Sequence, residues 1–196
     1  MDAQLSPRAR EILAAASDLL EQDDQALSMR RLAERVGIRA PSLYKHFSSK
    51  QALEAALISE GFAQQAAVFE AALIDSPQPL VAMAAAYRDF ARRHPRLYRL
   101  MYDRSLDRSL LTPGSEDRAA APALAALGGD GDLARAAFAF AHGMTILELN
   151  DRFPPGADLD AAWRRGLVGL QASVPAPAME DDERRVSARR AGRDGH

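Results

Sequence analysis

Six basic side chains, Arg30, Arg31, Arg35, Arg39, Lys45 and Lys50, fall between Ser28 and Lys50, against the single acid Glu34. This window carries +5 in a chain whose net charge is −2, and it holds the only two lysines of the protein. A local cationic excess of this kind is the chemistry that neutralises phosphates, even though the overall charge alone argues against a nucleic-acid partner. The residues between the charges point the same way. Leu32, Val36, Ile38, Leu43 and Phe47 supply a small shared core, Ala33 permits close approach of two short helices, and Gly37 takes the positive φ of a sharp turn. Arg39, Ala40, Ser42 and Tyr44 are then left on the outer face of the second short helix, free to enter a major groove. The competing reading is a helical hairpin with a merely solvated basic face, and the turn glycine and the aromatic, histidine and lysine set weigh against it.

A second group of residues suits recognition of a small molecule. Phe62, Tyr87, Phe90, Tyr98, Met101, Tyr102, Phe138 and His142 form an aromatic and methionine set with a few polar tips, the lining expected around an apolar ligand held by one or two hydrogen bonds. The same side chains would serve equally as ordinary core, and His142 as a core histidine bonded to a neighbouring carbonyl. Catalytic chemistry is poorly represented. With no cysteine there is neither thiolate nor disulfide, and no histidine or carboxylate cluster has metal-ligand spacing on one helix face. No cofactor or metal is implied. His94 precedes a proline at a helix break, and His196 stands in a polar tail.

The elements that must position these groups are all helical. Ala, Leu, Arg and Glu dominate, and alternating β-branched runs are missing. Ser6-Pro7 opens a first helix reaching about Gln22, and Asp23-Asp24-Gln25 form a polar break. Ser28 is placed to cap a second helix ended by Gly37, and a third is expected from Ala40-Pro41 to Phe47. Ser48 or Ser49 then caps a long fourth helix that stops before Ser76-Pro77. Five more are expected: Pro77 to Arg93, Pro95 to about Leu106, Glu116 to Leu127, Leu133 to Arg152, and one capped by Asp158 that places Leu159, Trp163, Leu167 and Leu170 on one face. This gives an all-α chain in three parts: 1–52, a helix-turn-helix unit; 53–174, a bundle for ligand binding and dimerisation; and 175–196, a tail of tail-like polar composition expected to be disordered. No apolar run approaches the ~20 residues of a membrane span and no signal segment is visible, so a cytoplasmic location is expected.

Leu43-Tyr44-Lys45-His46-Phe47 followed by Lys50 and Leu53 resembles the recognition-helix signature of the TetR family of transcriptional regulators. The resemblance implies that Tyr44, His46 and Lys50 contact backbone phosphates and that Arg39 and Ser42 reach base edges, with Ser28, Ala40 and Lys45 completing the candidate contact set. Pro41-Ser42 departs from the small residue and glycine of many relatives. Further along, Ala86 to Met101, Ala141-His142-Gly143-Met144 and Leu147-Glu148 are similar to the TetR C-terminal subgroup marked by a tryptophan-histidine-glycine element, with Phe138 at the tryptophan's place. A ligand-responsive regulator follows, by default a repressor released from a palindromic operator by a small apolar effector. One recognition helix reads few base pairs, so two half-sites ~34 Å apart and a homodimer are expected. The small residues Ala134, Ala137, Ala141, Gly166 and Gly169 beside Trp163, Leu167 and Leu170 on helices 8 and 9 would suit either an interface or packing within the protomer, and the family resemblance implies the interface. The alternative is an all-α small-molecule-binding protein or enzyme without a DNA-binding role.

Overall fold

Residues 5–22, 27–103 and 105–174 are described by a computed structural model, and among them the secondary structure is entirely helical. Helix α1 (Pro7–Gln22) begins where Ser6 Oγ accepts from the Ala9 amide at 3.2 Å, and its stripe Ala9, Ile12, Leu13, Ala16, Leu19 is buried. Helices α2 (Met29–Arg35) and α3 (Ala40–Leu43) pack Leu32, Ala33 and Leu43 onto that stripe. Between them Gly37 has φ +68°, and the Ile38 amide closes the turn on the Ala33 carbonyl at 3.0 Å. A Cβ at Gly37 would meet nothing within 4 Å, so it is the backbone angle and not lack of space that calls for glycine.

The body is built by α4 (Lys50–Leu73), α5 (Pro79–Arg93), α6 (Pro95–Tyr102), α7 (Ser115–Ala126), α8 (Gly131–Leu149) and α9 (Leu159–Gln171). Ser49, Asp130 and Asp158 cap their helices through side-chain acceptors, on Ala52 N, on Asp132 N and Leu133 N, and on Ala161 N respectively. Helix α4 starts at the N-terminal unit and continues through the middle of the body, where it packs against α5, α6 and α7.

Several boundaries differ from expectation for local reasons. The third helix ends at Leu43, not Phe47: the His46 and Phe47 amides both bond the Leu43 carbonyl, and this tight turn lets the Phe47 ring drop into the core. Ser28 occupies the cap position of α2 in an extended conformation, yet its side chain makes no capping bond. The fifth helix begins at Pro79, because Gln78 precedes a proline and is held outside the α region. The sixth stops at Tyr102, after which the chain reverses through a 3₁₀ turn at Arg108–Leu110 and is pinned to α4 where the Thr112 amide bonds Ser59 Oγ at 3.0 Å. The eighth stops at Leu149, where Asp151 adopts φ +50° and the Arg152 amide returns to the Leu147 carbonyl. The polar break at Asp23-Asp24-Gln25 and the tail from residue 175 lie outside the described residues. No helix among the described residues is long and apolar enough to cross a membrane.

The N-terminal unit and the body are joined by more than α4. Helix α6 has no side-chain cap of its own at His94, and the missing acceptor comes from α1: Glu21 takes the Leu97 amide at 2.9 Å and the Arg96 amide at 3.4 Å on its two carboxylate oxygens. The Arg96 guanidinium returns to the Glu21 carbonyl at 3.0 Å.

Candidate DNA-binding surface and effector cavity

The recognition surface is made by a short helix whose inner residues are fixed and whose outer residues are free. Leu43 and Phe47 are buried, which turns Arg39, Tyr44 and Lys45 outward; Tyr44, a large aromatic, is 51% exposed. Ser28, Ala40, Ser42, His46 and Lys50 are half-buried around them. Among the described residues the side chains of Arg39 and Lys45 have neither hydrogen bond nor ion pair, leaving their charges to solvent. Lys50, in the first turn of α4, lies 3.5 Å from Glu54, and Arg30 pairs with Glu34 at 3.0 Å. Of the eight candidate DNA-contact residues, Arg39, Ala40, Ser42, Tyr44, Lys45 and His46 lie on or directly beside α3, Ser28 precedes α2 and Lys50 opens α4.

In the body, α4 to α8, with Leu167 of α9, form a half-open cavity of about 630 Å³, within the range of small-molecule sites. Phe62, Tyr87, Met101, Tyr102 and Phe138 line it, and the other three residues of the candidate set do not. Phe90 is buried on the opposite side of α5, beside a cleft between α4 and α5 whose lining is half alanine. Tyr98 is fully buried behind the wall, bonded to the Tyr87 hydroxyl at 2.8 Å and to His142 Nδ1 at 2.7 Å. His142 stacks on both Tyr98 and Phe138.

Gln65, Phe69, Leu80 and Met83, which residue type alone did not single out, also line the cavity, as does the alanine-rich α7, whose Ala119, Ala120 and Ala123 form a wall that leaves space because its side chains are small. Phe62, Gln65 and Phe69 share one face of α4 at helical spacing, the pattern that would have revealed Gln65 as a polar residue on an apolar stripe.

The cavity is electrically quiet. Burial, as the main cause, pushes the Tyr87, Tyr98 and Tyr102 hydroxyls far above their usual range, so all three stay neutral. Desolvation holds the His142 imidazolium below its usual range, with a smaller opposing effect from Asp103. At the rim, Arg108 is paired with Glu116 at 2.8 Å, and Arg135 with Asp132. Behind the cavity Arg88 of α5 bonds Glu148 of α8 at 2.8 Å and also Asp160 of α9, while Glu148 accepts from the Trp163 indole. No group of three or more metal-ligating side chains is assembled among the described residues.

The paired surfaces have counterparts among known proteins. Residues 12–57 match the family model of bacterial regulatory proteins of the tetR family, and residues 80–170 match that of the tetracyclin repressor-like C-terminal domain. Among characterised proteins, the HTH-type transcriptional activator FasR of Mycolicibacterium smegmatis is 30% identical over 99 residues, covering 49% of this chain and 45% of FasR, so the match spans about half of each. A solved structure of a protein with unknown function from Rhodococcus sp. RHA1 aligns with a TM-score of 0.72 at 26% identity, over 89% of this chain and 98% of that one. The multidrug binding protein EbrR, solved in complex with imidazole, aligns at 0.61 and 25% identity over 90% and 99% of the two chains. With its DNA-reading unit and its helical body each matched in order along one chain, the protein belongs to the TetR family of DNA-binding transcriptional regulators.

Proposed function

We propose that this protein is a ligand-responsive regulator that binds a palindromic operator as a homodimer and leaves it when a small, largely apolar effector fills the cavity between α4 and α8. The observation that carries this reading is the course of α4: the helix that begins at Lys50, beside the exposed recognition residues, becomes the Phe62, Gln65 and Phe69 wall of the cavity. A guest that favours one placement of α4 over another thereby alters where the recognition surfaces stand, and a tenfold change in operator affinity needs a difference of only ~1.4 kcal/mol between the two placements. EbrR, similar over nearly its whole length, is described as a multidrug binding protein, which supports an apolar guest here. Tyr44, His46 and Lys50 are assigned to phosphates, with Ser28 and Lys45 flanking them, and Arg39, Ala40 and Ser42 to the groove. Release from the operator relieves repression. The second reading, activation by the bound dimer, is favoured by the likeness to the activator FasR.

The phosphate assignment is tested with a random-sequence duplex titrated over a range of salt concentrations. Lys50→Ala is expected to weaken binding to any sequence and to lower the salt slope by about 1 per protomer. Unchanged affinity and slope would remove Lys50 from the DNA surface.

A further inference from the structure

One of the described side chains that border the cavity carries a buried polar atom without a partner. Gln65 lies on the buried face of α4, 3% exposed, and borders the cavity. Its Oε1 accepts from the Tyr102 hydroxyl at 2.9 Å, and its Nε2 has no partner. Burial keeps the Tyr102 hydroxyl protonated and therefore a donor. Turning the amide round would force that hydroxyl to accept from Nε2 and leave both its own hydrogen and Oε1 unmet, so Tyr102 fixes the N–H groups as the end of the amide left without a partner. A buried N–H without an acceptor is costly, and such a group in a cavity wall is a vacancy for an oxygen.

The rest of the lining narrows the class of guest. Phe62, Phe69, Tyr102 and Phe138 present ring faces and edges. The guanidiniums at the rim, Arg108 and Arg135, already have the carboxylate partners Glu116 and Asp132, so among the described residues lining the cavity no uncompensated cation awaits an anion. Resting on the effector-cavity reading above, we infer that the cavity selects an uncharged effector whose ring-bearing apolar body packs on the aromatic wall and whose carbonyl-type oxygen accepts a hydrogen bond from Gln65 Nε2. Gln65 is the specificity-determining contact, and Tyr102 is a positioning residue that fixes which end of the amide is offered.

Three probes of nearly one shape separate the possibilities: benzophenone, its hydrocarbon counterpart diphenylmethane, and the anion 4-benzoylbenzoate, each titrated calorimetrically into the full-length protein. Wild type should bind benzophenone about tenfold more tightly than diphenylmethane, the margin of one net hydrogen bond, and should bind 4-benzoylbenzoate less well than benzophenone. Gln65→Leu, which replaces the amide by an apolar group of similar size, should bind benzophenone and diphenylmethane equally; Gln65→Met serves the same purpose if the leucine variant does not fold. Tyr102→Phe frees the amide to turn and should narrow the gap without closing the cavity. Equal binding of the two neutral probes by wild type, a gap that survives in Gln65→Leu, or a preference for the anion overturns the inference while leaving the cavity as the effector site. If neither neutral probe binds, the effector-cavity reading falls and the inference with it.

Discussion

The imidazole of His142 ends a chain of hydrogen bonds that starts at the cavity. Tyr87 borders the cavity, its hydroxyl bonds Tyr98, and Tyr98 bonds His142 Nδ1. With the imidazole neutral and Nδ1 accepting, each hydroxyl donates to the next group, and the order Tyr87 to Tyr98 to His142 satisfies all three. Protonation reverses the last bond. Because desolvation depresses the folded-state pKa of His142, the unfolded chain takes up its proton first, near pH 6.5. The stability contributed by the neutral ring is therefore complete above about pH 6.5 and is lost as pH falls toward the folded value. His142→Gln, which keeps an acceptor for Tyr98, should show a flatter dependence of melting temperature on pH between about 5 and 7. Superimposable pH profiles for wild type and variant would sink this account. The residue scale is also where the sequence was least legible. That His142 and Tyr98 belonged with Tyr87 was visible from their types, but that Tyr98 stands behind the cavity wall and Phe90 across α5 depends on helix rotation, which no spacing reports. Gln65 went unnoticed because a lone glutamine among apolar residues acquires meaning only when its two amide atoms are seen to have different fates.

Among elements, α8 and α9 show how far a pattern of small residues can be read. Gly166 does sit at a close approach, but the neighbour is Phe140 of the same chain: a Cβ there would run into its ring. Gly166→Ala should therefore overpack this contact and cost ~1–3 kcal/mol, read from the denaturant midpoint of unfolding. A midpoint at or above that of wild type would mean that the Phe140 ring moves aside freely. Trp163 and Leu167, expected at the interface, are buried within the protomer, and Leu167 borders the cavity. The existence and order of the helices were legible, as were the caps at Ser6, Ser49 and Asp158 though not the one expected of Ser28, because serine, aspartate, proline and glycine act locally. Their ends were less so: Leu43 and Tyr102 stop their helices for tertiary reasons, the first to seat Phe47 and the second to return the chain to Ser59.

For the whole molecule, part of what remains uncovered on α8 and α9 is apolar: Leu147 is 40% exposed and Val168 66%, and Gly169 has open space where a side chain would be, while Asp132, Arg135, Asp160, Arg164 and Arg165 are exposed on the same helices. Such a face suits the proposed dimer, in which the two recognition surfaces meet successive major grooves. Val168→Arg should leave the protomer folded, since the side chain already faces solvent, yet shift wild-type dimers to monomers in sedimentation velocity at micromolar concentration. A variant that sediments as wild type would move the interface elsewhere. The carboxylate of Glu21 has a wider bearing. It belongs to α1, in the DNA-reading unit, but holds the first amides of α6, the helix that brings Met101 and Tyr102 to the cavity. Under the proposed function, coupling carried by this contact is reciprocal: by whatever factor a guest loosens DNA, DNA must loosen the guest. On that reading each operator is a competitor for the effector, the DNA-bound fraction answers at a higher concentration than the free one, and the number of operators in a cell becomes part of the threshold at which the protein responds.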